Sequence, residues 1–539
     1  MTVRGEECDA DVVIIGYGPV GQLAALLLGR AGHRVTVFER WPSLYRMPRA
    51  AHFDYEIARI FQGAGFRADK SSAIEPYDDM YVCRNADRNT LLELDWTGVG
   101  PTGWPTANFF NQPMLERELD ALVQAQPTVH VERGWQATAV GQDDHGTQIT
   151  VERVDISDGE LELHNTRQRR TVTARYVIGA DGVNSLVREA IGARLHDLGY
   201  FYDWLIVDVL PDNELTFTPP AWQLCDPTRP TTLVPSGPGR RRWEFMRLPK
   251  ETIAELNTTG RAWELLAPWD VRPDNATLER HAVYTFQARW AEHWQAGRLF
   301  IAGDAAHLMP PFAGQGMCAG LRDVKNLTWK LDRVLRGTSP EALLSTYTSE
   351  RIPHLRHFID LSMEIGKVIC ISDPEKAAER DAVMMATPTD SEPPPKSPRL
   401  GMGLLDAESA AAGTLSVQAL VRHAGSEEPA LLDDVLGGGG CLLLADPSLL
   451  KTVQKQPVVD DLSIAELPVV AMGDEARMDV VVDATGAYTA WMVEIAAVAV
   501  LIRPDFAVYG TADTAQDIPR LLAAYRAALL ESTPNSVSA

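Results

Sequence analysis

Residues 10–40, ADVVIIGYGPVGQLAALLLGRAGHRVTVFER, constrain the fold of this chain more than any other stretch. Val12 to Ile15 is a short, apolar, β-branched run that leads straight into Gly16-Tyr17-Gly18-Pro19-Val20-Gly21, and an Ala/Leu-rich segment with helical spacing follows to Arg30. The order is strand, tight glycine turn, helix. A second strand, Arg34 to Phe38, ends at Glu39, an acid 21 residues after Gly18. Gly16 permits the turn, Gly18 leaves room for a pyrophosphate against the backbone, and Gly21 lets helix and strand pack closely. Unpaired amides and partial positive charge at the helix start suit phosphate, and Glu39 can accept from ribose hydroxyls. The turn with Pro19 and Val20, together with Arg40 beside Glu39, is therefore a candidate dinucleotide site. A βα turn whose glycines serve packing alone would carry the same spacing.

A chain of 539 residues is too long for one hydrophobic core and implies about three domains. The formal net charge of −23 argues against nucleic acid or an anionic membrane surface as a partner. No stretch reads as a signal peptide or membrane span: the apolar run from Val12 to Leu28 is broken by glycines, Pro19 and Gln22, and has no basic leader. Cys8, Cys83, Cys225, Cys318, Cys370 and Cys441 are scattered without CxxC spacing. That fits neither a disulfide framework nor a zinc site, and predicts a cytoplasmic enzyme with reduced thiols and no metal.

Residues 41–66 pass from a proline-bounded loop, ending near Arg49, into a helix carrying Ile57, Ile60 and Phe61. The PRAxHxDxE pattern from Pro48 to Glu56 resembles the flavin-dependent aromatic hydroxylases, in particular their 3-(3-hydroxyphenyl)propionate hydroxylase-like branch. The resemblance implies that Arg49 lies near the flavin; a surface arginine capping a helix start would read the same. His52, in the same motif, is a catalytic candidate beside Asp54. Further on, Gln112-Pro113-Met114-Leu115-Glu116 opens a helix, with Pro113 where the first turn has no use for an N–H. The resemblance implies that Gln112 contacts the flavin; by itself Gln112 is a polar neighbour of the helix cap. Strand-like runs are expected at Met80–Cys83, Leu91–Trp96, Val129–Glu132, Gln148–Val154 and Glu160–His164.

A second β-branched strand ends at a Gly/Asp turn within Arg175 to Arg188. It is similar to the family's GADGxxSxVR element, which implies that Asp181 contacts FAD and the docked nicotinamide nucleotide. Asp also caps helices well, so Asp181 is expected to do both. Residues 200–290 read as a mainly antiparallel sheet. Within it the arginine cluster Arg240-Arg241-Arg242 and the neighbouring Trp243 match the hydroxylase branch, as does the segment around Tyr284. Arg242, Trp243 and Tyr284 are the substrate candidates. Arginine suits bidentate binding of a substrate carboxylate or of the NADPH phosphate; a solvated hairpin tip over a structural tryptophan is the competing reading.

The longest motif runs from Gly297 to Asp323 and closely resembles the GD element of FAD hydroxylases. A buried strand delivers Gly303 and Asp304, whose carboxylate can accept from ribityl hydroxyls. Pro310, Pro311 and Gly314 shape a turn, and the amides of Gly316, Met317 and Cys318 open the next helix, where they can stabilise negative charge on a reduced flavin. By analogy with related hydroxylases, the Pro310 or Pro311 carbonyl is a candidate guide for proton transfer. His307 reads as structural.

These signals predict an α/β protein: a Rossmann-type FAD-binding domain over 1–195, with small inserted strands around 67–110, completed by 291–385; an inserted substrate-binding sheet over 196–290; a linker over 386–399; and a C-terminal domain over 400–539. The resemblance makes that last domain thioredoxin-like, through the LIRPDxxVxG-type segment Leu501 to Gly510. Its lone Cys441 argues against redox activity, leaving closure of the active site or a homodimer interface. The implied function is a monooxygenase that uses FAD, NADPH or NADH, and O2 to hydroxylate a phenolic small molecule through a flavin C4a-hydroperoxide. A Baeyer–Villiger or epoxidising monooxygenase of polycyclic aromatic natural products would carry the same flavin motifs, as would a non-oxygenating flavoprotein.

Overall fold

The computed structural model describes residues 8–44, 49–156, 163–386, 396–456 and 467–531. Residues 387–395, most of the expected linker, and residues 160–162 of an expected strand lie outside the described residues.

The strand Ala10–Ile15 lies between two parallel neighbours, Val35–Glu39 and Leu163–Gly179. Val129–Arg133 and Leu299–Ile301 extend the parallel sheet on either side. Val12, Val13 and Ile14 are all fully buried, as a strand covered on both faces requires, which is why this segment reads as an unbroken apolar run. The helix Pro19–Arg30 starts with Pro19 in its first turn and packs on the helix Gly316–Leu335. Glycine is needed at that crossing: a Cβ on Gly320 would stand 2.9 Å from the Gly303 Cα.

A second, eight-stranded sheet stands beside the first. Its long central strand, Leu195–Pro211, pairs antiparallel with Ala276–Ala291 and with Arg241–Met246, and Thr231–Pro235 and Ala221–Leu224 follow outward. The early strands Met80–Arg84 and Thr90–Asp95, expected as small insertions in the dinucleotide-binding unit, instead complete this second sheet, through a parallel pairing of Met80–Arg84 with Ala221–Leu224. His52–Asp54, Ala107–Phe110 and Ile74–Tyr77 form a small third sheet between the two.

The C-terminal residues build a seven-stranded mixed sheet. Cys441–Leu444, Val469–Met472 and Val480–Asp483 run parallel, and Ala499–Ile502 and Val508–Ala512 return antiparallel. Buried charge ties this unit to the rest. Arg59 donates to both Asp433 oxygens at 2.7 and 3.0 Å and to the Ser416 carbonyl at 2.7 Å. Arg503 and Lys330 each reach Glu350 Oε2 at 2.7 Å.

Candidate functional site

Two joined cavities open where the first and second sheets meet. One, of about 490 Å3, lies at the carboxyl ends of the parallel strands against Gly16, Glu39, Arg40 and Asp181. The other, of about 310 Å3, lies between the glycine turn and the antiparallel sheet. Gly18, Pro19, Arg49, Gln112, Ala180 and Gly182 border both, so the two form one cleft. The carboxyl edge of a parallel sheet is where such folds bind ligands.

The three turn glycines differ in what demands them. Gly16 has φ +99°, and a Cβ there would sit 2.2 Å from the Ala180 carbonyl oxygen; a Cβ on Gly21 would sit 2.1 Å from the Gly16 oxygen. Gly18 has an ordinary φ of −72°, and a Cβ there would meet no protein atom within 4 Å. The protein itself therefore does not require glycine at 18; the space it leaves belongs to the cleft, and fits a cofactor pressed against the backbone. Val20 and Gly303 border the same cleft, with the Val20 side chain 3.0 Å from where a Gly303 Cβ would lie.

Polar groups around the larger cavity keep unused capacity. Glu39 accepts from the Tyr17 amide at 2.8 Å and the Trp41 amide at 2.9 Å, one per oxygen, leaving a lone pair on each. Asp181 Oδ2 accepts from the Leu186 and Val187 amides at 2.7 and 3.3 Å, while its buried Oδ1 has no partner. Burial pushes the Asp181 carboxyl up. The helix cap proper is Ser185, whose hydroxyl accepts from the Arg188 amide at 3.0 Å. An orphaned buried carboxylate oxygen on a cavity wall fits a ligand hydroxyl.

At the junction of the cavities, Gln112 holds the Arg49 loop. Its Oε1 accepts from the Arg49 and Ala50 amides at 2.7 and 2.8 Å, and its Nε2 donates to Glu116 at 2.7 Å. Burial pushes the Glu116 carboxyl up to about 7. Gln112 is therefore first a loop clamp, with one amide hydrogen left for a ligand.

The GD motif supplies the far wall. Asp304 is open to the cavity and enclosed by protein on its other sides; burial raises its carboxyl, and nearby Arg49 opposes that rise. Gly316 and Met317 also face the cavity. The first ladder bond of their helix runs from the Ala319 amide to the Gln315 carbonyl at 2.8 Å, so the amides of Gly316, Met317 and Cys318 precede the ladder. The Cys318 side chain is buried toward the Gly314 and His52 carbonyls, leaving only its amide for a cofactor. Pro311 borders the cavity, although its carbonyl accepts from the Gly314 amide at 2.7 Å. Pro310 is a correction: it is buried off the wall, and its carbonyl accepts from the Ser362 hydroxyl at 2.9 Å.

On the substrate side, strand alternation decides which residues are presented. Gln223, Thr232 and Glu244 are aligned across three adjacent strands, and all three border the cavity with Val234 and Arg242. Trp243, expected at the substrate, faces away: it is fully buried on the opposite face against Phe217 and Trp269, because neighbouring strand residues point to opposite sides. Tyr284 also falls off the wall, its hydroxyl hydrogen-bonded to Arg280. Arg242 does border the cavity, but its guanidinium is spent on Asp208, at 2.7 and 3.1 Å, and on the Arg49 carbonyl at 2.8 Å. His52 stacks on Trp96 at 4.9 Å, and neither of its ring nitrogens completes a hydrogen bond. Burial pushes its imidazole down to about 4. A smaller cavity of about 90 Å3 adjoins across His52, Tyr81, Trp96 and Phe312. Gln223, Thr232 and Glu244 were not singled out in the sequence; the signal for Glu244 was its two-residue spacing from Arg242.

Comparison with known proteins agrees with this geometry. The FAD binding domain family model matches residues 9–362, and the HcaD C-terminal domain model matches residues 413–528. A probable NADH-specific resorcinol 4-hydroxylase of Rhodococcus jostii (strain RHA1) is 37% identical over 95% of this chain and 93% of its own length. A 3-(3-hydroxy-phenyl)propionate/3-hydroxycinnamic acid hydroxylase of Mycolicibacterium gilvum (strain PYR-GCK) is 33% identical over 97% of this chain and 92% of its own. Among solved structures, the flavin-dependent monooxygenase PieE in complex with FAD and substrate superposes with a TM-score of 0.79 at 20% identity, covering 97% of this chain and all of that one. Aklavinone-11 hydroxylase with FAD and aklavinone gives 0.75 at 23% identity over 96% of this chain and 99% of its own.

Proposed function

The chain belongs to the FAD-dependent aromatic hydroxylases, and from that premise we propose that its substrate is a small uncharged phenol of the resorcinol type, with NADH as electron donor. The observation that carries this reading is that, among the described residues, no uncompensated cation stands on the substrate wall. Arg242 is neutralised by Asp208, and Arg49 lies close enough to Asp304 and Glu116 to oppose the rise that burial imposes on both carboxyls. With Glu244 also on the wall, a phenylpropionate carboxylate would enter a pocket whose described residues offer it no free cation, and burying an unpaired charge is costly. A resorcinol ring carries no such charge. The NADH preference named for the Rhodococcus relative supports the donor.

Bound FAD would supply the redox chemistry, taking a hydride from the nicotinamide and delivering one oxygen atom of O2 to the ring. The Gly16–Gly21 turn, Glu39, Arg40 and Asp181 would hold its adenosine half. Arg49, Gln112, Gly303, Asp304, Gly314 and the amides from Gly316 to Cys318 would hold its flavin end. Pro311, Met317 and the apolar wall of Val234 and Phe312 would exclude water from the reacting ring. The parallel core of the C-terminal sheet with its antiparallel returns supports a thioredoxin-like unit. Burial pushes its Cys441 thiol up to about 12, which fits a packing role and not a redox one.

The test is NADH oxidation by the flavin-loaded protein in air with resorcinol, phenol and 3-(3-hydroxyphenyl)propionate, alongside product mass. Stimulation by resorcinol with a product heavier by one oxygen is expected. A higher kcat/KM for the phenylpropionate would overturn the uncharged-substrate reading, and oxygenation of a polycyclic ketone alone would move the chain to Baeyer–Villiger chemistry.

A further inference from the structure

Glu244 ends the polar row on the cavity face, between Thr232 and the apolar Ile206 on the neighbouring strands. The polar side chains beside it in the row, Thr232 and Gln223, are committed to each other and to the backbone. The Thr232 hydroxyl donates to Gln223 Oε1 at 2.5 Å, and Gln223 Nε2 donates to the Thr231 carbonyl at 3.0 Å. The nearest cation, Arg242, is 3.9 Å away with its donors turned to Asp208 and the Arg49 carbonyl. The Glu244 side chain, 12% exposed, thus presents a carboxylate to the cavity that accepts no hydrogen bond from any described residue.

Resting on the phenol reading above, we propose that Glu244 is the base that takes the proton of the substrate hydroxyl. In this step the phenol O–H bond breaks, its electron pair stays on the phenolate oxygen, and the proton forms a bond to a Glu244 carboxylate oxygen. No oxidant or reductant is consumed. The phenolate so formed is the more electron-rich ring, and therefore the better acceptor of an electrophilic oxygen. The other groups on the wall serve less well. Burial holds His52 near 4, too weak a base, and drives the Tyr81 hydroxyl well up, too weak an acid to exchange protons; Gln223 and Thr232 do not titrate. Around Glu244 itself, burial raises the carboxyl, Arg242 and Arg280 oppose the rise, and Asp208 reinforces it. The upward shift strengthens it as a base.

Two measurements on the holoenzyme test the assignment. In the first, 4-nitrophenol is bound to the wild-type protein below its solution pKa, and the difference spectrum reads its ionisation. Bound phenolate is expected, and bound neutral phenol would overturn the proposal. In the second, Glu244→Gln is expected to lower kcat for resorcinol hydroxylation by about 100-fold or more with KM little changed. NADH oxidation should continue in that variant with hydrogen peroxide as the product. The variant's rate should climb toward wild type as rising pH ionises the phenol in solution, and Glu244→Asp should restore part of kcat. Unimpaired hydroxylation by flavin-replete Glu244→Gln would overturn the proposal while leaving the phenol reading intact. A wild-type protein that oxygenates no phenol would overturn both. Should Glu244→Gln lose its flavin, the wild-type nitrophenol spectrum still decides.

Discussion

The Arg242 guanidinium donates to the Arg49 carbonyl at 2.8 Å across 193 positions of sequence. One side chain of the antiparallel sheet thereby fixes the loop that borders both cavities, while Gln112 holds the same loop from the dinucleotide-binding side. The substrate wall and the cofactor wall are mechanically one unit at this point.

Arg242→Ala is expected to lower stability by about 3–5 kcal/mol, because the buried Asp208 is left with only Arg280 at 3.4 Å. It should also reduce flavin content by freeing the Arg49 loop. Arg242→Lys keeps the charge without the bidentate fork and should fall between the two. Thermal denaturation and the flavin-to-protein absorbance ratio check this; a variant with wild-type values in both would show that the clamp carries no energy.

Gly16→Ala and Gly18→Val are expected to fail in different ways. The first forces a Cβ into the Ala180 carbonyl at φ +99° and should cost about 1–3 kcal/mol or more in the apoprotein. The second places its Cβ more than 4 Å from any protein atom and should cost the apoprotein far less than the first, while flavin affinity drops about tenfold or more, equivalent to about 1.4 kcal/mol. Equal flavin binding by Gly18→Val and wild type would remove position 18 from the cofactor site.

Those two glycines show what was legible in the chain and what was not. Local backbone geometry writes itself into sequence at fixed spacing, so the turn at Gly16, the Gly303-Asp304 corner and the helix start at Gly316 could be read directly. The substrate wall could not. In Arg241-Arg242-Trp243-Glu244-Phe245-Met246 both faces of the strand are buried, so hydropathy does not say which alternate set meets the cavity. Trp243 drew notice because its segment resembles the hydroxylase branch, yet the pleat sends it to the rear core and brings Glu244 forward. The strands Met80–Arg84 and Thr90–Asp95 were legible as strands, but their membership of the second sheet depends on a pairing some 140 residues distant, between Met80–Arg84 and Ala221–Leu224.

Glu350→Ala should loosen the C-terminal unit. It would leave Lys330 buried without a carboxylate partner and Arg503 with Asp505 alone, at a cost of about 3–5 kcal/mol. Burial alone would raise the Glu350 carboxyl, yet Arg503 and Lys330 hold it below the usual carboxylate range. A depressed folded pKa contributes stability that is present above the unfolded value, about 4.3, and lost as pH falls below it. Limited proteolysis should therefore release a C-terminal fragment from the variant at neutral pH, and from wild type only under acid. A variant as resistant as wild type would sink the prediction.

Burial of His52 at the cavity wall is expected to make the protein acid-sensitive. Burial holds its folded pKa near 4, so between that value and the unfolded one the folded state binds fewer protons, and stability rises with pH. With an unfolded pKa of about 6.5, the contribution is complete above that value and falls by about 2 kcal/mol between about pH 7 and about pH 5. His52→Phe preserves a ring against Trp96, where the imidazole now stacks at 4.9 Å, and removes the titration. Denaturant unfolding at the two pH values should show the variant losing about 2 kcal/mol less than wild type on acidification. If both proteins lose the same amount, the imidazole is not desolvated, and water entering from the neighbouring 90 Å3 cavity must reach it.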